Sequence, residues 1–251
     1  MKTNAVAVAL AALLVSSCIA QAEEDHGRHA RTPIQHVVVL LVDDAAQPKR
    51  LSPGTALWSW AQNFAMNDNY SGTTFGATVF RGSSRTSDFL DALQAHNLPA
   101  VSFIRAPAYE DGHAGSADPT REQSWLVSIV NRIMESPFWA EAVIFIAYDT
   151  SRSGSPGTRL PLLAISPWAN RNYVDHTLIN QASIVRFIED NWRPDTIDTL
   201  DLPNGQASFD GNAGTLTHLF NFDAPRSLDL ILLKCNGTLV RRHQSTPSTC
   251  P

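Results

Sequence analysis

Two adjacent carboxylates, Asp43 and Asp44, stand directly after the apolar run Val37–Val42, and a third, Asp149, follows the run Val143–Ala147 and Tyr148. Short continuous runs of β-branched and other apolar residues predict strands buried on both faces, as in a parallel sheet. Ligands of open parallel sheets gather at the carboxyl ends of the strands. If these two strands are neighbours, three carboxylates converge on one edge. Their mutual repulsion then calls for a cation held by hard oxygen ligands, or by these with an added histidine. A divalent ion held in this way polarises a phosphoryl oxygen or activates a hydroxyl nucleophile. The same aspartates also suit plain strand-end caps and turn formers, and the pattern leaves both readings open.

The remaining elements form a frame that can position such an edge. Leu57, Trp58, Ala61, Phe64 and Ala65 have helical spacing, and the polar stretch 67–76 reads as loop. A helix is expected over about 84–96, with Phe89, Leu90 and Leu93 on one face, then a strand over Ala100–Ile104. Asp118-Pro119 marks a helix start, with Asp as N-cap and Pro at the first helical position. That helix continues through Leu126, Ile129, Val130 and Ile133. Further strands are expected at Val143–Ala147, Leu160–Ile165 and Leu228–Leu233. Further helices are expected at Ala182–Trp192, with Ile184, Val185 and Ile188 inward, and around Leu216, Leu219 and Phe220. Alternating strands and helices predict an α/β fold, a mostly parallel sheet with helices on both faces.

The N-terminus carries a different signal. Lys2, the small apolar run Ala5–Val15 and the small-x-small pattern Ala20-Gln21-Ala22 predict a secretory signal peptide over 1–22. The apolar run is short of the ~20 residues that a membrane span needs. Val15-Ser16-Ser17-Cys18 also loosely resembles a lipoprotein box, so lipidation at Cys18 is an alternative. The expected organisation is then a polar lead-in over 23–35, one domain over 36–233 and a C-terminal tail over 234–251. The expected location is secreted or periplasmic, with no transmembrane segment in the mature chain. Cys235 and Cys250 either close a terminal loop in an oxidising compartment or remain separate thiols. A net charge of −5 without a basic cluster argues against general nucleic-acid binding. Oligomeric state is left open.

Several segments together resemble the bacterial phosphoesterase family. The fullest is Leu98-Pro-Ala-Val-Ser-Phe-Ile-Arg-Ala-Pro-Ala-Tyr-Glu-Asp-Gly-His-Ala-Gly, residues 98–115. Others are Ala61–Asn69, Ile146–Asp149, Arg159–Pro167, Asn172–Thr177, Ser183–Trp192 and Ser208–Asp210, and they fall in order between about residue 36 and 223. The family includes phospholipases C and acid phosphatases and belongs to the alkaline-phosphatase-like superfamily. The resemblance therefore implies an alkaline-phosphatase-like core and hydrolysis of phosphate esters, with a phospholipid head group as one candidate substrate. It also implies a metal-assisted hydroxyl nucleophile that forms a phospho-enzyme, which water then hydrolyses.

Carried over position by position, the resemblance gives a partial site. Asp43 and Asp44 stand where the family has Glu-Asn, and Asp149 stands at the first of a later metal-binding pair. Arg152 occupies a position where the family has a carboxylate. The nucleophile loop is reduced to Gly76-Ala77-Thr78-Val79-Phe80-Arg81, in which Thr78 is the candidate nucleophile and a plain turn threonine is the competing reading. His113 matches a family position facing the site, suited to stabilising the phosphoryl group or protonating the leaving group. Asp175-His176 also matches, as a site pair or as a structural pair near a strand end, and Glu110 and Asp111 read as solvated loop charges. The expectation is an exported, metal-dependent phosphoric ester hydrolase of phospholipase C or acid phosphatase type, with an unspecified divalent metal. The alternative is a non-catalytic relative that keeps the fold for binding.

Overall fold

The computed structural model describes residues 32–42, 55–71, 86–106, 110, 119–148, 159–192, 210–224, 232–234 and 239. Seven strands are present among them: β1 (His36–Val42), β2 (Ala65–Ser71), β3 (Val101–Arg105), β4 (Ala142–Tyr148), β5 (Arg159–Ile165), β6 (Tyr173–Asp175) and β7 (Ile179–Asn180). The α-helices are α1 (Ala56–Asn63), α2 (Thr86–Gln94), α3 (Pro119–Met134) and α4 (Gln181–Trp192), with 3-10 turns at Pro137–Glu141 and Thr217–Leu219. The strands form one sheet in the order β3-β1-β4-β5-β2-β6, and β7 also pairs with β2. Pairing of β1 with β3 and β4, and of β2 with β6 and β7, is parallel, whereas β5 is antiparallel to both β4 and β2. The fold is α/β with a mostly parallel sheet, as the alternation of elements predicts.

Burial explains why the central strands were plain in the sequence. Val37, Val38, Val39, Leu40 and Val42 are all fully buried, as are Val143, Ile144, Phe145, Ile146 and Ala147. Side chains alternate across a strand, so both faces of β1 and β4 are covered. Phe145 meets Phe187 of α4 edge-on at 5.1 Å and Phe220 at 6.1 Å, and Phe220 stacks on Phe222 at 5.4 Å. This aromatic group fastens α4 and the segment around Phe220 to the middle of the sheet. Phe145→Ala is expected to cost about 3–5 kcal/mol of stability, since it leaves a cavity among rings that cannot collapse into it. Equilibrium urea unfolding measures this.

Side-chain hydrogen bonds tie the outer segments down. Asn131 of α3 donates to the Leu233 carbonyl (2.6 Å) and accepts from the Leu233 amide (3.3 Å). Asn191 of α4 donates to the Ile34 carbonyl (3.1 Å), and Ser166 donates to the Ala142 carbonyl (2.8 Å). Helix α2 closes with His96 in the left-handed region (φ 57°), where the Asn97 amide reaches the Ala92 carbonyl. That is a Schellman-type ending with histidine at the position usually taken by glycine.

Four local expectations are corrected. Ala65 and residues 67–71 are strand rather than helix and loop, because the polar side chain of Asn67 finds buried partners on a distant strand. Strands β6 and β7 are too short to show a period. Val185 is 41% exposed, so the inward stripe of α4 is Ile184 and Phe187, with Ile188 partly buried. Leu233 forms an isolated antiparallel bridge with Leu239; residues 228–231 lie outside the described residues. So do the expected signal peptide, Cys18, Asp118, Cys235 and Cys250. No helix among the described residues is long and apolar enough to cross a membrane. Residues Pro33–Pro251 cluster as one compact unit.

Candidate active site

The ends of β1 and β4 meet. Val42 and Tyr148, the last residues of the two strands, are register partners in a parallel pair. The condition under which the three aspartates share an edge is thus satisfied by the strands that lead into them. Adjacent strands lie about 4.8 Å apart and consecutive Cα atoms 3.8 Å.

The strands that precede the other candidate residues end at the same edge. Strand β3 ends level with β1, with Arg105 opposite Leu41, and the chain continues from there toward His113. Strand β2 runs the same way as β4, because both are antiparallel to β5. Its last residue, Ser71, pairs with Arg159 at that edge, and the chain continues from there toward Thr78. Asp43, Asp44, Thr78, His113 and Asp149 themselves lie outside the described residues. The four described strands that precede them in sequence end at one edge of the sheet.

Glu110, in the segment after β3, is only partly exposed. Burial pushes its carboxyl up from the ordinary value, and the positive charge of Arg121 in α3 partly offsets this. It is therefore not the fully solvated charge that its loop position suggests.

A polar cluster near this edge is fully described. Asn67 of β2 and Asp175 of β6 are register partners and are buried, 0% and 5% exposed. The Asn67 amide donates to Asp175 Oδ2 (2.9 Å) and to the Thr177 carbonyl (2.9 Å). The Thr177 backbone amide and hydroxyl donate to Asp175 Oδ1 at 3.2 and 2.8 Å. Burial by itself raises the Asp175 pKa. The hydrogen bonds from Asn67 and Thr177, with the nearby His218, outweigh burial and hold the carboxyl below its usual value. One residue further along each strand, His176 Nδ1 lies 2.8 Å from Asp68 Oδ1 on the exposed side.

The sequence singled out Asp175-His176 but not Asp68 as its partner. The signal for Asp68 was an acidic residue in a polar stretch that is in fact a strand. No group of three or more His, Cys, Asp or Glu side chains suited to a metal ion is present among the described residues.

The model of the Phosphoesterase family matches residues 78–193. That match takes in a little under half of the chain, so this stretch is similar to the family. The matched stretch begins at Thr78 and contains His113, Asp149, Asp175 and His176, whereas Asp43, Asp44 and Asp68 precede it. Similarity extends to a Non-hemolytic phospholipase C of Pseudomonas aeruginosa, 23% identical over 238 residues. That alignment takes in 72% of this chain and 33% of the relative, so the chain spans about a third of the relative's length.

Proposed function

We propose that the protein is an exported hydrolase of phosphate esters that works at the carboxyl edge of the sheet. The in-register ending of β1 and β4 supports this reading, because the strands that lead into the carboxylates end side by side. Asp43, Asp44 and Asp149 would hold a divalent ion, whose identity carboxylate donors alone do not select. Such an ion supplies charge neutralisation at the phosphoryl oxygens and lowers the pKa of a nearby hydroxyl. Thr78 Oγ, its proton passing to water, would attack phosphorus, forming an O–P bond as the bond to the ester oxygen breaks. His113 gives a proton to the departing alcohol oxygen, and water then cleaves the phospho-threonine. A phospholipid head group or a simple phosphomonoester is the substrate.

The test is turnover of 4-nitrophenyl phosphate and 4-nitrophenyl phosphorylcholine by the purified chain with Mn, Ca, Mg, Zn or Fe in turn. Expected is nitrophenol release that a chelator abolishes and one of these ions restores. Arg152 in a carboxylate position and the reduced loop around Thr78 favour a second reading, a relative that binds phosphate esters without cleaving them. Metal binding by calorimetry without release in any of the five ions would replace the first reading with the second.

A further inference from the structure

Helix α3 is covered on nearly every side over its second half. Leu126, Val127, Ile129, Val130, Ile133 and Met134 are each 2% exposed or less. A helix that is apolar all round is buried all round. Val127, Asn131 and Met134, four and then three residues apart, share one of its faces. In the middle of that face the asparagine is an exception. It is buried, and Asn is among the poorer formers of a helix interior. A buried carboxamide is costly unless both its N–H and its oxygen find partners.

Leu233 supplies both partners, through its carbonyl at 2.6 Å and its amide at 3.3 Å. A carboxamide copies a peptide unit. Asn131 therefore pairs with Leu233 as one residue of an antiparallel ladder pairs with the residue opposite, with a bond in each direction. Leu233 is 2% exposed and lies in the core cluster, Leu232 packs partly buried against that cluster, and Leu233 bridges to Leu239. Among the described residues, the hydrogen bonds that join 232–234 and 239 to the rest of the domain both end on Asn131. Strand β1, by contrast, is paired on both sides along most of its length. Local opening of a native protein starts where such attachments are few.

We propose that the C-terminal segment around Leu233 is a strap that detaches and recloses while the sheet stays folded, with Asn131 as its fastening. Detachment breaks both bonds together, since one side chain makes them, and bares the face of α3 that carries Val127 and Met134. Reclosure is set in register, because the carboxamide matches a single peptide unit. Met134 leads through the turn Pro137–Glu141 into the first residue of β4, so the fastening stands toward the amino edge of the sheet. The strap is thus independent of the phosphate-ester reading, whose residues follow the carboxyl ends of the strands.

Hydrogen exchange at single amides of the full chain, read by NMR, tests the strap, and turnover plays no part in it. In wild type the Leu233 amide is expected to exchange through an opening on which urea has little effect. The Val39 amide in β1 is expected to exchange only through unfolding that urea promotes steeply. The same urea dependence and the same free energy at the two amides would overturn the proposal. Ile146→Val weakens the sheet whether the strap is open or closed, so exchange at Val39 should quicken about fivefold and exchange at Leu233 should stay as it was. An equal gain at Leu233 would overturn independent opening. Asn131→Leu keeps the volume and suits a helix, but leaves the Leu233 amide and carbonyl without partners. Exchange at Leu233 should then quicken at least about tenfold. Unchanged exchange there would remove Asn131 as the fastening. A variant that cannot fold would show that the sheet depends on the strap, and so would overturn the proposal.

Discussion

Replacement of Asp149 by Asn is expected to lower kcat/KM on a nitrophenyl phosphate ester by at least about a hundredfold. Loss of a group that merely supports a metal ligand costs about 10–100-fold in affinity or activity, and loss of a ligand's own charge should cost no less. On the proposed reading Asp149 alone stands for the later metal-binding pair that the family resemblance implies, and the stretch 149–158 holds no second aspartate. Strand β4 is fully paired with β1 up to Tyr148, so the substitution should leave the sheet intact. Kinetics with matched calorimetric titration of the metal, and circular dichroism as the check on folding, measure the effect. A variant that keeps near-wild-type turnover would remove Asp149 from the mechanism.

The second large effect is on stability. Asn67→Leu keeps the size of the side chain but takes a hydrogen-bond donor from the buried Asp175 carboxylate and leaves the Thr177 carbonyl short of a partner. Leaving a buried charged group short of a partner costs more than losing a neutral bond, so about 3 kcal/mol is expected. The pH dependence follows from the direction of the Asp175 shift. Its folded pKa is depressed, so its contribution is fully present above the ordinary carboxylate range. That contribution is lost as pH falls through the folded value. Urea midpoints taken from about pH 5 down to about pH 2 should therefore fall in wild type. They should fall less steeply in Asn67→Leu, where one of the bonds that depress the pKa is gone.

What could be seen in advance divides along physical lines. Strands β1 and β4 announce themselves because both faces are buried, so every position is apolar and no long-range information is needed. Strand β2 hides because Asn67 is polar, and its partner Asp175 is 108 residues away. Only the fold makes an Asn acceptable in the core. The direction of β5 hides for a similar reason, since Leu160–Ile165 reads the same in either sense and only pairing on both sides fixes it. Val185 misled because a valine beside Ile184 on a helix reads as core, yet the face that α4 buries turns past it toward Phe187. The shared edge of the strands that lead into Asp43 and Asp149 was legible up to one condition, the adjacency of β1 and β4. The Asp68–His176 pair was half legible, since only the His lies in a segment whose chemistry drew notice.

The reversed strand β5 has a consequence for how this domain tolerates change in length. Because β5 runs against β4, the chain that leaves at Tyr148 returns at Arg159 on the same side of the sheet, next to its own point of departure. A parallel successor would have had to carry the chain across the whole layer before pairing. A segment whose two ends are fixed side by side can be lengthened cheaply, since each doubling of a flexible loop adds only about 0.6 kcal/mol of closure entropy. The stretch 149–158 that opens with Asp149 is thus a graft point. A foreign peptide or a fluorescent domain inserted after Ser153 should leave the sheet folded, whereas the same insertion within β4 should not. Substrate range in proteins of this build can then drift through inserted surface material while the strands beneath stay as they are.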